Sequence, residues 1–135
     1  MQPSHARSRF IYLALALGTI ALGLLVHWRG AVLGTTIQDV LGDALYAVMV
    51  VWWVSAIAPG AGLSVRAVTS LALCVGVELS QLSHAPVLET ARHTTLGQLV
   101  LGSGFDVRDL GAYALGVLAA WCVEYAVRRR HRTRQ

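Results

Sequence analysis

Between Phe10 and Val26 the chain carries no charged side chain, and three more apolar runs follow, at Ala44–Ala58, Ala67–Val77 and from Leu110 towards Val127. A helix rises ~1.5 Å per residue, so about 20 such residues cross the ~30 Å hydrocarbon core of a bilayer. Backbone groups in lipid must be satisfied within the segment, which makes each run a membrane helix rather than a strand. Composition agrees. Of 135 residues, 56% are hydrophobic and only 13% charged, with a mean hydropathy of +0.59, too apolar for a water-soluble domain of this size. The expected fold is all-α, a four-transmembrane-helix bundle forming a single integral membrane domain over 1–135. The spans lie at about 10–28, 39–58, 66–82 and 107–127, with a basic tail at 128–135.

The net charge of +4 does not point to nucleic acid. All eleven basic residues are arginines and five crowd the last eight positions, as in a juxtamembrane tail. Phe10–Val26 is read as an uncleaved first span rather than a signal peptide, because His27, Trp28 and Arg29 follow it where a small-residue cleavage site would stand. With four spans both termini share a side. Arg7, Arg9, Arg66 and the tail arginines fall there, against Arg29, Arg92 and Arg108 opposite, so the positive-inside rule places both termini in the cytoplasm.

Several local features follow from spacing. Ala14 with Gly18, Thr19 with Gly23, and Ala112 with Gly116 give small-xxx-small pairs suited to close helix approach. After a linker at Gly30–Gln38, Thr36 and Asp39 resemble a capping box, and Asp106 is a second N-cap candidate. Trp52 and Trp53 suit interfacial anchors. The turn Pro59–Gly62 separates the second and third spans. The long outer loop Ser83–Phe105 is expected to hold a short surface or re-entrant helix starting at Pro86, with Leu96, Leu99 and Val100 as an apolar face. Cys74 and Cys122 lie at different depths and are read as unpaired small hydrophobes at helix contacts.

Glu78 is the residue that needs a reason, since a carboxylate inside a span costs ~2.5–3.5 kcal/mol on insertion scales. Gln81 shares its face at i,i+3. In this topology Asp43 begins the second span, Glu78 ends the third and Asp109 begins the fourth, each within ~4–6 Å of the outer boundary. Arg92, His84 and His93 hang above them. Helix capping accounts for Asp39 and Asp106, and for Asp109 as readily as a site does. Arg92 can pair with Glu89, and Glu124 with the tail arginines. Asp43 and Glu78 have no such duller role. The two histidines lack metal-ligand spacing, and no cofactor or metal set is read from the sequence.

Asp39, Asp43 and Tyr46, the Glu78–Gln81 motif with Ala85-Pro86, the glycines at 97, 102 and 104, and Asp109, Tyr113 and Gly116 together resemble the domain-of-unknown-function family 2809 of small bacterial membrane proteins. That family is itself similar to the VanZ-like proteins associated with teicoplanin resistance. The VanZ-like pattern maps Glu78, Gln81, Arg92, Asp109 and Gly116 onto its own positions, with Tyr113 where it has Asn and Asp43 where it often has His. The first functional expectation is an outer-leaflet pocket formed by Asp43, Glu78, Gln81, Arg92, Asp109 and Tyr113. It would bind membrane lipid, an envelope lipid-linked precursor or a glycopeptide. The alternatives are a carboxylate- or metal-dependent enzyme on an envelope substrate, and a structural bundle with no ligand. An ion or proton carrier is disfavoured, because Leu71–Cys74 and Leu115–Ala120 offer no polar track through the inner leaflet.

Overall fold

The structure is a computed structural model that describes residues 5–29, 32, 34–102 and 104–133. Gly30, Ala31 and Leu33 of the expected linker, Ser103 of the glycine-rich junction and Arg134 of the tail lie outside these residues, as does the side chain of Leu99. Six helices follow in order: α1 His5–Arg29, α2 Thr35–Ile57, α3 Leu63–Ser80, α4 Pro86–Arg92, α5 Thr95–Leu101 and α6 Val107–Arg132. Among the described residues there is no strand. Helices α1, α2, α3 and α6 are long and apolar enough to cross a membrane, and the architecture is an all-α bundle of these four.

Helix α2 is the hub, packed against α1, α3 and α6, while α6 also packs on α3. The buried apolar cluster consists of Ala16 from α1, Ala47, Val51 and Trp52 from α2, Cys74 from α3, and Tyr113, Val117 and Ala120 from α6. Small residues at these contacts let backbones approach, which supplies van der Waals packing where lipid gives no hydrophobic drive. At Gly116 a Cβ would run into the Ala44 carbonyl and come within 3.0 Å of the Ala47 Cβ. The pair expected on α1 plays no such part. Ala14 and Gly18 are exposed, and nothing lies within 4 Å of a Cβ built on Gly18 or Gly23. The face of α1 that docks instead carries Ala16.

Burial is inverted relative to a water-soluble protein. The largest fully buried side chains are Arg66, Glu78, Cys74, Ser55 and Ser70, while Phe10, Leu17, Ile57, Val68 and Leu115 are exposed. Apolar groups outside and ionisable groups inside suit a surround of lipid, in which an unpaired charge must turn inward.

Some boundaries differ from the expectation. Helix α2 begins at Thr35, and its N-cap is Gly34, at φ 82 with no side-chain cap bond. The Thr36 and Asp39 capping box is therefore absent, because the chain turns earlier in a left-handed conformation that glycine adopts freely. Asp106 does cap α6, accepting from the Arg108 amide at 2.9 Å. Helix α6 continues to Arg132. Arginine is a good helix former, and Glu124 and Arg128 brace the segment at i,i+4. The Ser83–Phe105 loop holds two short helices, with Pro86 in the first turn of α4 and Thr94 capping α5. Trp52 is not an interfacial anchor: it is buried and stacked on Tyr12, with ring centroids 6.2 Å apart. Both cysteines are free, but Cys122 is exposed on the outside of the bundle rather than at a helix contact.

Candidate functional site

At the end of the bundle that carries α4 and α5, three membrane helices bring polar side chains to one level. Glu78 on the last turn of α3 is fully buried and accepts three hydrogen bonds. The Asp106 amide donates to Oε1 at 2.8 Å, while the Gln81 amide nitrogen (3.2 Å) and the Tyr113 hydroxyl (3.1 Å) donate to Oε2. No arginine touches it among the described residues. A buried carboxylate with three donors is offset without an ion pair, and each bond to a charged acceptor contributes roughly 1.5–3 kcal/mol. Glu78 thereby ties α3 to the start of α6.

In front of Glu78 lies a cavity of about 420 Å³ whose walls include Asp43, Asp109, Gln81, Tyr113, Asp39 and Asp106. Asp43 on α2 and Asp109 on α6 face this common space from opposite helices. The Tyr46 and Tyr113 rings, 6.0 Å apart, meet at a tilt of 48° below this level, and the Tyr46 hydroxyl donates to the Val100 carbonyl at 3.0 Å, which ties α5 onto α2. Of the six residues expected in the pocket, Asp43, Gln81, Asp109 and Tyr113 line this cavity. Glu78 lies behind the wall with no exposed surface, so it organises the cavity rather than facing into it.

Arg92 is not there either. Its Nη1 and Nη2 donate to the Ser83 carbonyl at 3.1 Å and the Ser80 carbonyl at 2.5 Å, capping the chain where α3 ends. Glu89, its expected partner, instead approaches His84 at 3.4 Å. Arg92 borders a second cavity of about 560 Å³, together with His84, His93, Leu82 and Phe105. Gln81 and Gly104 belong to both walls, so the two spaces adjoin across the Gln81 side chain. A Cβ on Gly102, at φ +70, would collide with the Gln81 amide, and this lets the backbone press against the dividing side chain.

The opposite end of the bundle holds a cluster that the sequence did not reveal. Glu124 on α6 pairs with Arg66 on α3 at 2.5 Å and with Arg128 at 2.7 Å, and accepts from the Tyr12 hydroxyl of α1 at 2.6 Å. Arg66 lies over the Tyr12 ring at 5.3 Å. Only the Glu124–Arg128 part was expected. Arg66, Ser70, Cys74 and Glu78 follow at i+4 intervals and are all buried, so α3 turns one face inward along most of its length. Between Ser70 and Glu78 that face carries Cys74 of the apolar cluster. On α6 the apolar Val117 and Ala120 fill the same depth. Among the described residues no three His, Cys, Asp or Glu side chains converge as a metal-ligand set.

A family model described as a protein of unknown function (DUF2809) matches residues 32–117, from just before α2 to the middle of α6. The chain belongs to this family. The matched stretch of this DUF2809 protein includes Glu78, the second cavity's walls and the first cavity's walls apart from Gly23, Val26 and His27 on α1, and it stops short of Glu124. No solved structure matches the chain.

Proposed function

We propose that this DUF2809 protein is a multi-pass protein of a bacterial cytoplasmic membrane, with both termini cytoplasmic, that binds an envelope molecule at its outer face. The ligand is a membrane lipid, a lipid-linked precursor or a glycopeptide, the last suggested by the resemblance to VanZ-like proteins. The observation that carries this reading is the roughly 420 Å³ cavity, within the ~300–1,000 Å³ range of small-molecule sites, walled by polar side chains from α2, α3 and α6. Carboxylates brought together in a greasy bundle cost stability, and a ligand offering hydrogen-bond donors offsets that cost. Asp43, Gln81, Asp109 and Tyr113 meet the ligand, and Glu78 holds Gln81 and Tyr113 in place.

A second reading, an enzyme acting on an envelope substrate, is favoured by one observation. Asp43 and Asp109 line one cavity, and two carboxyls facing a common space are the groups that general acid–base catalysis uses. No nucleophile is assigned beside it.

Mass spectrometry of molecules that co-purify with the protein tests the binding reading. Wild type is expected to carry a defined species that Glu78→Gln, still inserted, retains several-fold less. Equal occupancy in the variant, or no species enriched over the surrounding lipid, sinks the reading and leaves a structural bundle.

A further inference from the structure

The two adjoining cavities differ in charge. The first presents Asp39, Asp43, Asp106 and Asp109 with His27 as its base, whereas the second presents Arg92, His84 and His93 with Glu89 as its acid. One side chain, Gln81, stands between them, and it is only 8% exposed. Its Nε2 donates to Glu78, while its Oε1 is buried with no partner among the described residues. Arg92 shows the complementary deficit. Its two Nη atoms are fixed by the α3 carbonyls, and its Nε is buried without an acceptor. An orphaned buried acceptor costs roughly 1–3 kcal/mol, so a small rotation that brings the covered Gln81 Oε1 to an occupant's donor is favoured, while each Arg92 Nη keeps a second N–H for an acceptor.

We propose that the adjoining cavities hold a single zwitterionic head group, a phosphate ester carrying a primary ammonium, with the ammonium against Asp43 and Asp109 and the phosphate against Arg92 and His93. This rests on the binding reading above and specifies its ligand class. A simple anion is repelled by the four aspartates of the first cavity, and a simple cation is repelled by Arg92 in the second. Arg92 is pre-organised for the task, because its fork is locked by Ser80 and Ser83 before anything arrives. Leu82 and Phe105 line the second cavity and are exposed, so the phosphate compartment opens beside an apolar surface on which acyl chains can lie. The phosphate ester is thus either a lipid head group or a soluble aminoalkyl phosphate.

The test is competition on the purified full chain in nanodiscs. Retention of phosphatidylethanolamine is compared with phosphatidylglycerol and phosphatidylcholine, and soluble O-phosphoethanolamine is tried as a displacing agent. The expected result is a preference of about tenfold for phosphatidylethanolamine over phosphatidylglycerol, the worth of one charge-assisted hydrogen bond. The preference should also hold over phosphatidylcholine, whose methylated ammonium cannot donate to Asp43 and Asp109. The paired Asp43→Asn and Asp109→Asn change should erase the preference, and Arg92→Gln should lower retention of every phospholipid. Displacement by O-phosphoethanolamine supports the same chemistry from a soluble source, and resistance to it supports the lipid source. A preference for phosphatidylglycerol, no preference, or one untouched by these substitutions overturns the zwitterion assignment. The wild-type comparison needs no variant to fold. If a different species co-purifies and depends on Glu78, only the ligand class is wrong. If nothing does, the binding reading fails with it.

Discussion

The Arg66 guanidinium lies 2.5 Å from the Glu124 carboxylate, both buried, at the end of the bundle far from the cavities. Through Tyr12 the same carboxylate reaches α1, and Tyr12 stacks on Trp52 of α2, so this one group joins all four membrane helices. Breaking a buried pair by removing one partner leaves an uncompensated charge, at a cost of about 3–5 kcal/mol. Glu124→Ala is expected to lower the thermal midpoint of the purified protein by many degrees. The paired Arg66→Met and Glu124→Leu change should recover much of the loss, because it leaves no charge behind. Unfolding followed by tryptophan fluorescence in detergent measures both. A silent Glu124→Ala would show that Arg66 finds another acceptor.

Gly116 and Gly18 make a matched pair of tests for helix approach. Gly116→Val places side-chain atoms against the Ala44 carbonyl, so α2 and α6 must separate. A loss of about 1–3 kcal/mol follows from such overpacking. Gly18→Ala has open space around it and is expected to leave the midpoint unchanged or slightly raised, given glycine's low helix propensity. Equal effects of the two would mean that α1 docks by the face first expected.

Glu78→Gln tests how the cavity is held. An amide offers one carbonyl in place of two carboxylate oxygens, so it cannot accept from Asp106 on one side and from Gln81 and Tyr113 on the other. Insertion should persist while the start of α6 loosens. Amide hydrogen exchange at Asp106 is expected to rise by at least about tenfold, the equivalent of ~1.4 kcal/mol. Unchanged protection there would remove Glu78 from its organising role.

Orientation is open to a labelling test. Val87 in α4 is 81% exposed and Arg130 near the chain end is also exposed. Val87→Cys in intact cells should react with an impermeant maleimide, and Arg130→Cys only after the membrane is opened, with wild type as the background for Cys74 and Cys122. The reverse pattern would invert the proposed topology and put the cavities on the cytoplasmic side.

Much of this molecule was legible in one dimension. The length of each apolar run fixes four crossing helices, because lipid leaves the backbone no other way to satisfy its hydrogen bonds. Once the chain alternates direction, Asp43, Glu78 and Asp109 must fall at one end, and they do. Rotation about each helix axis was not legible, since depth follows from counting residues but facing follows from packing. Lipid is apolar all round a span, so the periodic contrast that reveals a buried face in a soluble helix is weak. That is why Trp52 turned out buried, Cys122 exposed, and Ala14 and Gly18 outside the contact. The i+4 series Arg66, Ser70, Cys74 and Glu78 was one available signal of an inward face, and it was hidden by reading Arg66 as the aqueous start of a span. Only the tertiary structure decided that Glu78 sits behind the cavity, that Arg92 serves the end of α3, and that Glu124 gathers four helices. Each depends on which neighbour meets a buried charge, and a linear pattern does not contain that choice.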